Sequence, residues 1–171
     1  DAARLVSLVS DIIRLSQLDE NTEMNRENVD ALSVAKEALE MVGPIAESRD
    51  ISLTIKGEPA PLNSVHKLLY DIIYNLCDNA VKYNKEGGFV KVDVKTAGDK
   101  VQVAVSDNGV GIAPADQSRV FERFYRVDKS HSRESGGTGL GLSIVKHAVA
   151  YLKGSISLES TLGKGTTITV S

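Results

Sequence analysis

Cysteine occurs once in these 171 residues, at Cys77, so the chain can form no disulfide within itself and no multi-cysteine metal site. Such scarcity fits a reducing compartment, and a lone thiol among apolar neighbours reads as a small buried hydrophobe. An excess of positive charge is missing too. Lys and Arg number 20 against 23 Asp and Glu, a net charge of −3 with a pI near 5.6. That balance disfavours a general polyanion-binding surface, and no nucleic-acid partner is expected. No apolar run reaches bilayer-spanning length, and the N-terminus lacks a basic-then-apolar leader. Repeats and low-complexity tracts are also absent. What remains, 42% hydrophobic and 25% charged, can fill the core of one compact domain with an appendage. The first residues stand mid-pattern, so the expectation is a piece of something longer.

Leu5, Leu8, Val9, Ile12, Ile13 and Leu15 recur every three or four residues, with Arg4, Asp11 and Arg14 between them. This spacing predicts an amphipathic helix ending near Asp19 whose apolar stripe needs a partner. Residues 21–28 are polar and read as a linker, with a boundary near residue 22. Asp30 can cap a second helix running to about Ser48, residues 51–55 alternate as a half-buried strand, and 57–61 form a turn. A third helix over about 64–83 is the best patterned. Residues 89–94 and 101–105 alternate as strands about an Ala97-Gly98-Asp99 turn. A helical run over 143–152 precedes a last strand pair, 155–158 and 166–170, around Gly163-Lys164-Gly165. This order is too irregular for a doubly wound parallel sheet. It predicts an α+β fold: a two-layer α/β sandwich, its mixed sheet carrying helices on one face, preceded by one long helix.

Chemistry concentrates in three places. Gly136-Gly137-Thr138-Gly139-Leu140-Gly141 leads into a helix N-terminus, where glycines admit an anion close to the backbone and the free N–H groups of the first turn point at it. The Walker lysine loop does not fit, since Leu142 and Ser143 follow Gly141. The dinucleotide fingerprint fails as well, because no strand precedes it. A ligand-free hinge remains open on this stretch alone. On the third helix, Asp71, Asn75, Asn79 and Lys82 share the side opposite Leu69, Ile72, Ile73, Leu76 and Ala80. A solvated face accounts for the charges but poorly for two asparagines one turn apart, which give up helix propensity. Amide oxygens are hard neutral ligands suited to Mg²⁺, Lys82 can meet phosphate, and Tyr83 can lie against a base. Third, Asp107-Asn108-Gly109-Val110-Gly111 follows a strand yet no return strand follows it, so this is no hairpin. A carboxylate there can accept from an exocyclic amine such as adenine's. The segment 112–136 carries Arg119, Arg123, Arg126, Lys129 and Arg133 beside Phe121, Phe124 and Tyr125, and a loop this long is more often a lid than a connection.

Taken together, Asn75-Leu-Cys-Asp-Asn79-Ala-Val-Lys82-Tyr83 resembles the N box of sensor histidine kinases, and Asp107-Asn-Gly-Val-Gly111 their G1 box. Phe121-Glu-Arg-Phe-Tyr-Arg126 resembles their F box and Gly137-Thr-Gly-Leu-Gly141 their G2 box, with Gly163-Lys-Gly-Thr166 similar to a last glycine motif. Order and spacing agree from about Asp30 onward. The resemblance implies the ATP-binding sandwich shared with gyrase-, Hsp90- and MutL-type ATPases, residues 22–171, with an ATP lid over 112–136. Residues 1–21 would be the second helix of a dimerisation and phosphoacceptor hairpin, pairing in a four-helix bundle. It further implies Mg²⁺ at Asn79 and Asn75, phosphate at Lys82, and Tyr83, Gly109, Gly111, Ile112 and Thr166 around the nucleotide. Asp107 would sit on the adenine amine, Arg126 on the γ-phosphate, and Gly137, Thr138, Gly139, Leu140 and Gly141 on the phosphates. Asn75, Lys82 and Arg126 would be the catalytic group.

The same resemblance implies a homodimeric parent anchored in the membrane, with this domain on the cytoplasmic side, its own hairpin as phosphoacceptor domain and a response regulator as the final acceptor. The chain departs from the family in one respect. None of His66, His131 or His147 stands in the acceptor context at the start of a hairpin helix, so all three read as structural or solvated. Related ATPases carry a glutamate base at the position of Asn75. An amide cannot take a proton from water, which favours phosphoryl transfer over hydrolysis. The alternative is a module of the same fold that binds ATP to change partner contacts without chemistry.

Overall fold

The structure, a computed structural model, describes residues 2–19, 24–125 and 140–171. Among them the elements run α1 (Ala2–Asp19), β1 (Glu27–Asp30), α2 (Ala31–Ser48), β2 (Ser52–Gly57), β3 (Pro61–Ser64), α3 (His66–Lys82), β4 (Phe89–Ala97), β5 (Lys100–Asp107), α4 (Pro114–Gln117), α5 (Gly141–Tyr151), β6 (Ile156–Thr161) and β7 (Gly165–Val170). Five strands form one sheet in the order β2-β4-β5-β7-β6; β2 and β4 run parallel and every other pair is antiparallel. The mixed sheet of the sequence reading is therefore present. Alternation builds it: Val90, Val92 and Val94 are buried while Lys91 and Asp93 between them are exposed. The buried valines join Ile72, Ile73, Leu76 and Cys77 of α3, Ala35, Ala38 and Val42 of α2, and Val145 and Ala148 of α5 in one core. Helices α2, α3 and α5 thus form the second layer on a single face.

Two short strands escaped the sequence reading. β1 and β3 pair antiparallel as a separate ribbon, Glu27 opposite Ser64 and Asp30 opposite Pro61. The first half of β1 lies in the stretch 21–28 that reads as linker, and only Val29 of its four residues is buried, so it has no alternation to detect. Asp30 caps α2 as expected, its carboxylate accepting from the Leu32 N–H at 3.2 Å and also from the Ala60 N–H at 2.7 Å. These bonds hold its carboxyl below the usual carboxylate range, the Ala60 contact contributing most.

The helix α1 docks by its C-terminal half. Leu15, 3% exposed, packs with Leu140 and Ile144 beside α5, with Leu8 at the margin. Full burial of one leucine contributes about 1.5–3 kcal/mol. Leu5, Val6, Val9, Ile12 and Ile13 stay exposed. Covering by α1 and α5 changes the character of α3. Its polar side is not a solvated face but an interior seam, in which Asp71 and Asn75 are buried. Burial pushes the Asp71 carboxyl up, against the pull of Arg14 on α1, whose guanidinium stands 3.8 Å away.

Candidate nucleotide site

Asn75 and Asn79 lie one turn apart on α3 and open toward the start of α5. The Asn75 amide group donates to the Asp71 carbonyl at 2.7 Å. A Cβ added at Gly141 would stand 3.1 Å from Asn75 Oδ1 and 3.8 Å from Asn79 Oδ1, so both oxygens face the first residue of α5. No side chain caps that helix, and its first turn carries no acid. Two hard amide oxygens therefore confront an N-terminus whose dipole and N–H groups favour an anion. A cation bridged to an anionic ligand suits the gap, and a side chain at Gly141 would crowd it. Among the described residues no group of three His, Cys, Asp or Glu could hold a metal ion, so a metal here would rest on amide oxygens and on its ligand's own oxygens.

The second wall is the turn after β5. Asp107 Oδ1 accepts from the Gly109 N–H at 2.8 Å. Burial raises the Asp107 carboxyl, while hydrogen bonds from the Gly109 and Thr166 N–H groups oppose the rise. This turn is pressed against the end of α3: the Val110 N–H donates to the Tyr83 carbonyl at 3.1 Å, and a Cβ at Gly109 would lie 2.4 Å from that oxygen. Gly109 is thus required by close approach. Gly111 has φ +70, and a Cβ there would meet the Thr161 carbonyl oxygen at 2.2 Å. No strand returns after Gly111, in agreement with the sequence reading of a turn that is not a hairpin.

From Ile112 begins the segment that the sequence reads as a lid. The Ile112 N–H donates to Ser160 Oγ at 2.8 Å, Gln117 Nε2 donates to the Ile112 and Ser160 carbonyls, and Ser160 Oγ meets Thr166 Oγ1 at 2.8 Å. The β6–β7 hairpin thereby anchors the first turn of this segment. Its helical part, α4, is a single turn of four residues. Beyond it Tyr125 donates to Asp116, and the Arg119 guanidinium lies over the Tyr125 ring at 4.6 Å while pairing with Glu122 at 3.3 Å.

Of the residues singled out by sequence, Asn75 and Asn79 face Gly141, which follows Leu140; Gly109 meets Tyr83, next to Lys82; and Asp107 pairs with Thr166, which bonds through Ser160 to Ile112, next to Gly111. Arg126, Gly137, Thr138 and Gly139 lie outside the described residues, as does His131. Lys82, expected at phosphate, binds Asp78 at 2.9 Å. Tyr83 is exposed at the C-cap of α3. His66 faces Glu37 at 3.3 Å and His147 Nδ1 the Ser143 carbonyl at 2.9 Å, contacts of structural kind. Cys77 is buried and its thiol is pushed up to about 12, chiefly by burial. Sequence reasoning gave no role to Arg49, Asn84, Asn108, Gln117 and Ser160; Arg49, Asn108, Gln117 and Ser160 each make a bond to a distant segment, and Asn84 bonds nearby Lys85 and Phe89. Asn108, inside the turn motif after β5, and Asn84, next to the motif ending at Tyr83, carried a local hint.

The family model described as histidine kinase-, DNA gyrase B-, and HSP90-like ATPase matches residues 64–171. The chain belongs to that family of ATPases. Among curated relatives it is 40% identical to the sensor-like histidine kinase SenX3 of Mycolicibacterium smegmatis, over 100% of this chain and 45% of that protein. It is 35% identical to the sensor histidine kinase WalK of Bacillus subtilis, over 99% of this chain and 28% of that protein. The chain thus spans less than half the length of these relatives. Among solved structures, full-length ShkA in complex with AMPPNP superposes with a TM-score of 0.85 at 29% identity, covering 97% of this chain and 35% of that one. The mycobacterial sensor histidine kinase MprB gives 0.73 at 30% identity, with coverages of 85% and 95%.

Proposed function

We propose that this chain is the ATP-binding catalytic domain of a sensor protein-histidine kinase, transferring the γ-phosphoryl group of Mg-ATP to a histidine on a dimerisation helix outside this sequence. The observation that carries the reading is the meeting of the Asn75 and Asn79 oxygens with the uncapped N-terminus of α5, while the half-buried Asp107 stands in the turn that bonds the end of α3. In it, Asn79 and Asn75 hold Mg²⁺, which neutralises phosphate charge, and the α5 N-terminus with Gly141 and Leu140 receives the phosphates. Asp107 accepts the adenine amine, with Tyr83, Gly109, Gly111, Ile112 and Thr166 around it. Lys82 leaves Asp78 for the phosphates, and Gly137 to Gly139 and Arg126 complete the phosphate contacts. Asn75 cannot act as a base toward water, so positioning an incoming imidazole is the chemistry that this site suits.

Residues 1–21 then belong to the dimerisation hairpin and 22–171 to the catalytic domain. The phosphate passes to a response-regulator aspartate, and the parent is a homodimer anchored at the membrane with this domain in the cytoplasm. Among the described residues no helix is long and apolar enough to cross a membrane. The test incubates a chain extended N-terminally through the acceptor helix with γ-labelled ATP and Mg²⁺. Acid-labile, base-stable label on that helix is expected. Saturable ATP binding with no label would favour the sensing module, for which the Lys82–Asp78 pairing is the supporting observation.

A further inference from the structure

Arg49 ends α2, far in sequence from every residue assigned above, and its guanidinium grips the end of α3. Nη1 donates to the Val81 carbonyl at 2.5 Å and to the Lys82 carbonyl at 2.7 Å, and Nη2 donates to the Asn84 carbonyl at 2.6 Å. Among the described residues it has no carboxylate at ion-pair distance, so its charge is spent on these oxygens. Val81 and Lys82 close the last turn of α3, the Val81 carbonyl also accepting from the Asn84 N–H at 3.3 Å, and Asn84 lies just beyond, at the negative end of the helix where a cation is favoured. The remaining carbonyl of the run, that of Tyr83, accepts from Val110. Every carbonyl from Val81 to Asn84 thus has a donor from another segment.

Arg49 is itself held in register. Asp50 adopts φ 56, its N–H donates to the Glu47 carbonyl at 3.1 Å, and the Ile51 N–H donates to the Ala46 carbonyl at 2.8 Å, a left-handed helix stop that fixes where the Arg49 stem leaves α2. The next segment is tied across as well, with Ser52 N–H on the Gly88 carbonyl at 3.0 Å and Asn84 Nδ2 on the Phe89 carbonyl at 2.9 Å.

We propose that Arg49 is a positioning residue for the nucleotide: by bonding the carbonyls on both sides of Tyr83 it sets the aim of Lys82 and Tyr83 and the spacing between the end of α3 and the Asp107 turn. This rests on the nucleotide reading of the site. Arg49 touches no ligand in that reading and acts through the backbone that Tyr83 shares with Val110. A planar fork can serve three divergent carbonyls, whereas a lysine ammonium is a point charge on a flexible stem.

The experiment compares the chain with its Arg49→Ala and Arg49→Lys variants by amide hydrogen exchange and by calorimetric titration with Mg-ATP, at temperatures where each is folded. In Arg49→Ala, exchange at the Val110 amide speeds up by about tenfold while that of Val92 in the sheet core is unchanged, and ATP affinity falls by about tenfold. Arg49→Lys recovers thermal stability but not affinity; should the alanine variant fail to fold, the lysine variant alone carries the comparison. Unchanged Val110 exchange, or wild-type affinity in a folded variant, overturns the proposal. If the unaltered chain binds no ATP, the nucleotide reading falls and Arg49 is left a structural brace, a result the exchange data separate from failure of the brace itself.

Discussion

Asp107 is held in its place at some cost to stability. Burial raises its carboxyl above the ordinary value of 3.8, and the opposing N–H groups of Gly109 and Thr166 do not cancel the rise. A raised folded-state value means that the folded chain binds this proton more tightly than the unfolded one. Its contribution to stability is therefore present below 3.8 and is lost as pH climbs from there through the folded value. In Asp107→Asn the titration is gone. Thermal unfolding should show the stability of this variant relative to the parent improving between about pH 3 and about pH 7, while ATP affinity falls by about 10- to 100-fold, the weight of a hydrogen bond to a charged group. A relative stability that worsens over that range, or an unchanged affinity, would contradict the assignment. Asp107 was legible because an Asn-Gly pair after a strand had no return strand. Arg49 was not, because an arginine ending a helix looks solvated until the end of another helix is laid across it.

At the scale of elements, packing decides what periodicity leaves open. The wheel of α3 separated apolar from polar positions correctly, yet the polar side is an interior seam because α1 and α5 cover it. Nothing local to Asp71 or Asn75 announces that cover. β1 and β3 were illegible for the opposite reason, being too short and too exposed to show a period. The turn after β5 can be probed by contrast. Gly111 and Gly98 have similar backbone angles, φ +70 and +65, but a Cβ at Gly111 strikes the Thr161 carbonyl whereas nothing lies within 4 Å of one at Gly98. Urea unfolding of Gly111→Ala should show a loss of about 1–3 kcal/mol or more, and of Gly98→Ala only about 1 kcal/mol. Equal losses would show that the backbone angle alone matters and that the turn is not wedged against β6.

For the whole molecule, the sequence carried the α+β class, the mixed sheet and the leading helix, since long alternating and helical runs build them. The way these parts are joined was hidden. Leu15 reaching Leu140 and Ile144, and Arg14 facing Asp71, link the helix α1 to both sides of the candidate site through contacts no local pattern encodes. At the candidate site two amide oxygens face a helix N-terminus, the half-buried Asp107 stands in the turn bonded to the end of α3, and the proposed function requires a metal-bound nucleotide there. Calorimetric titration of this chain with ATP, with and without Mg²⁺, tests that requirement most directly. Saturable one-to-one binding that tightens by about tenfold or more with the metal is the predicted result. Absence of saturable binding, or equal affinity in the presence and absence of Mg²⁺, would contradict it.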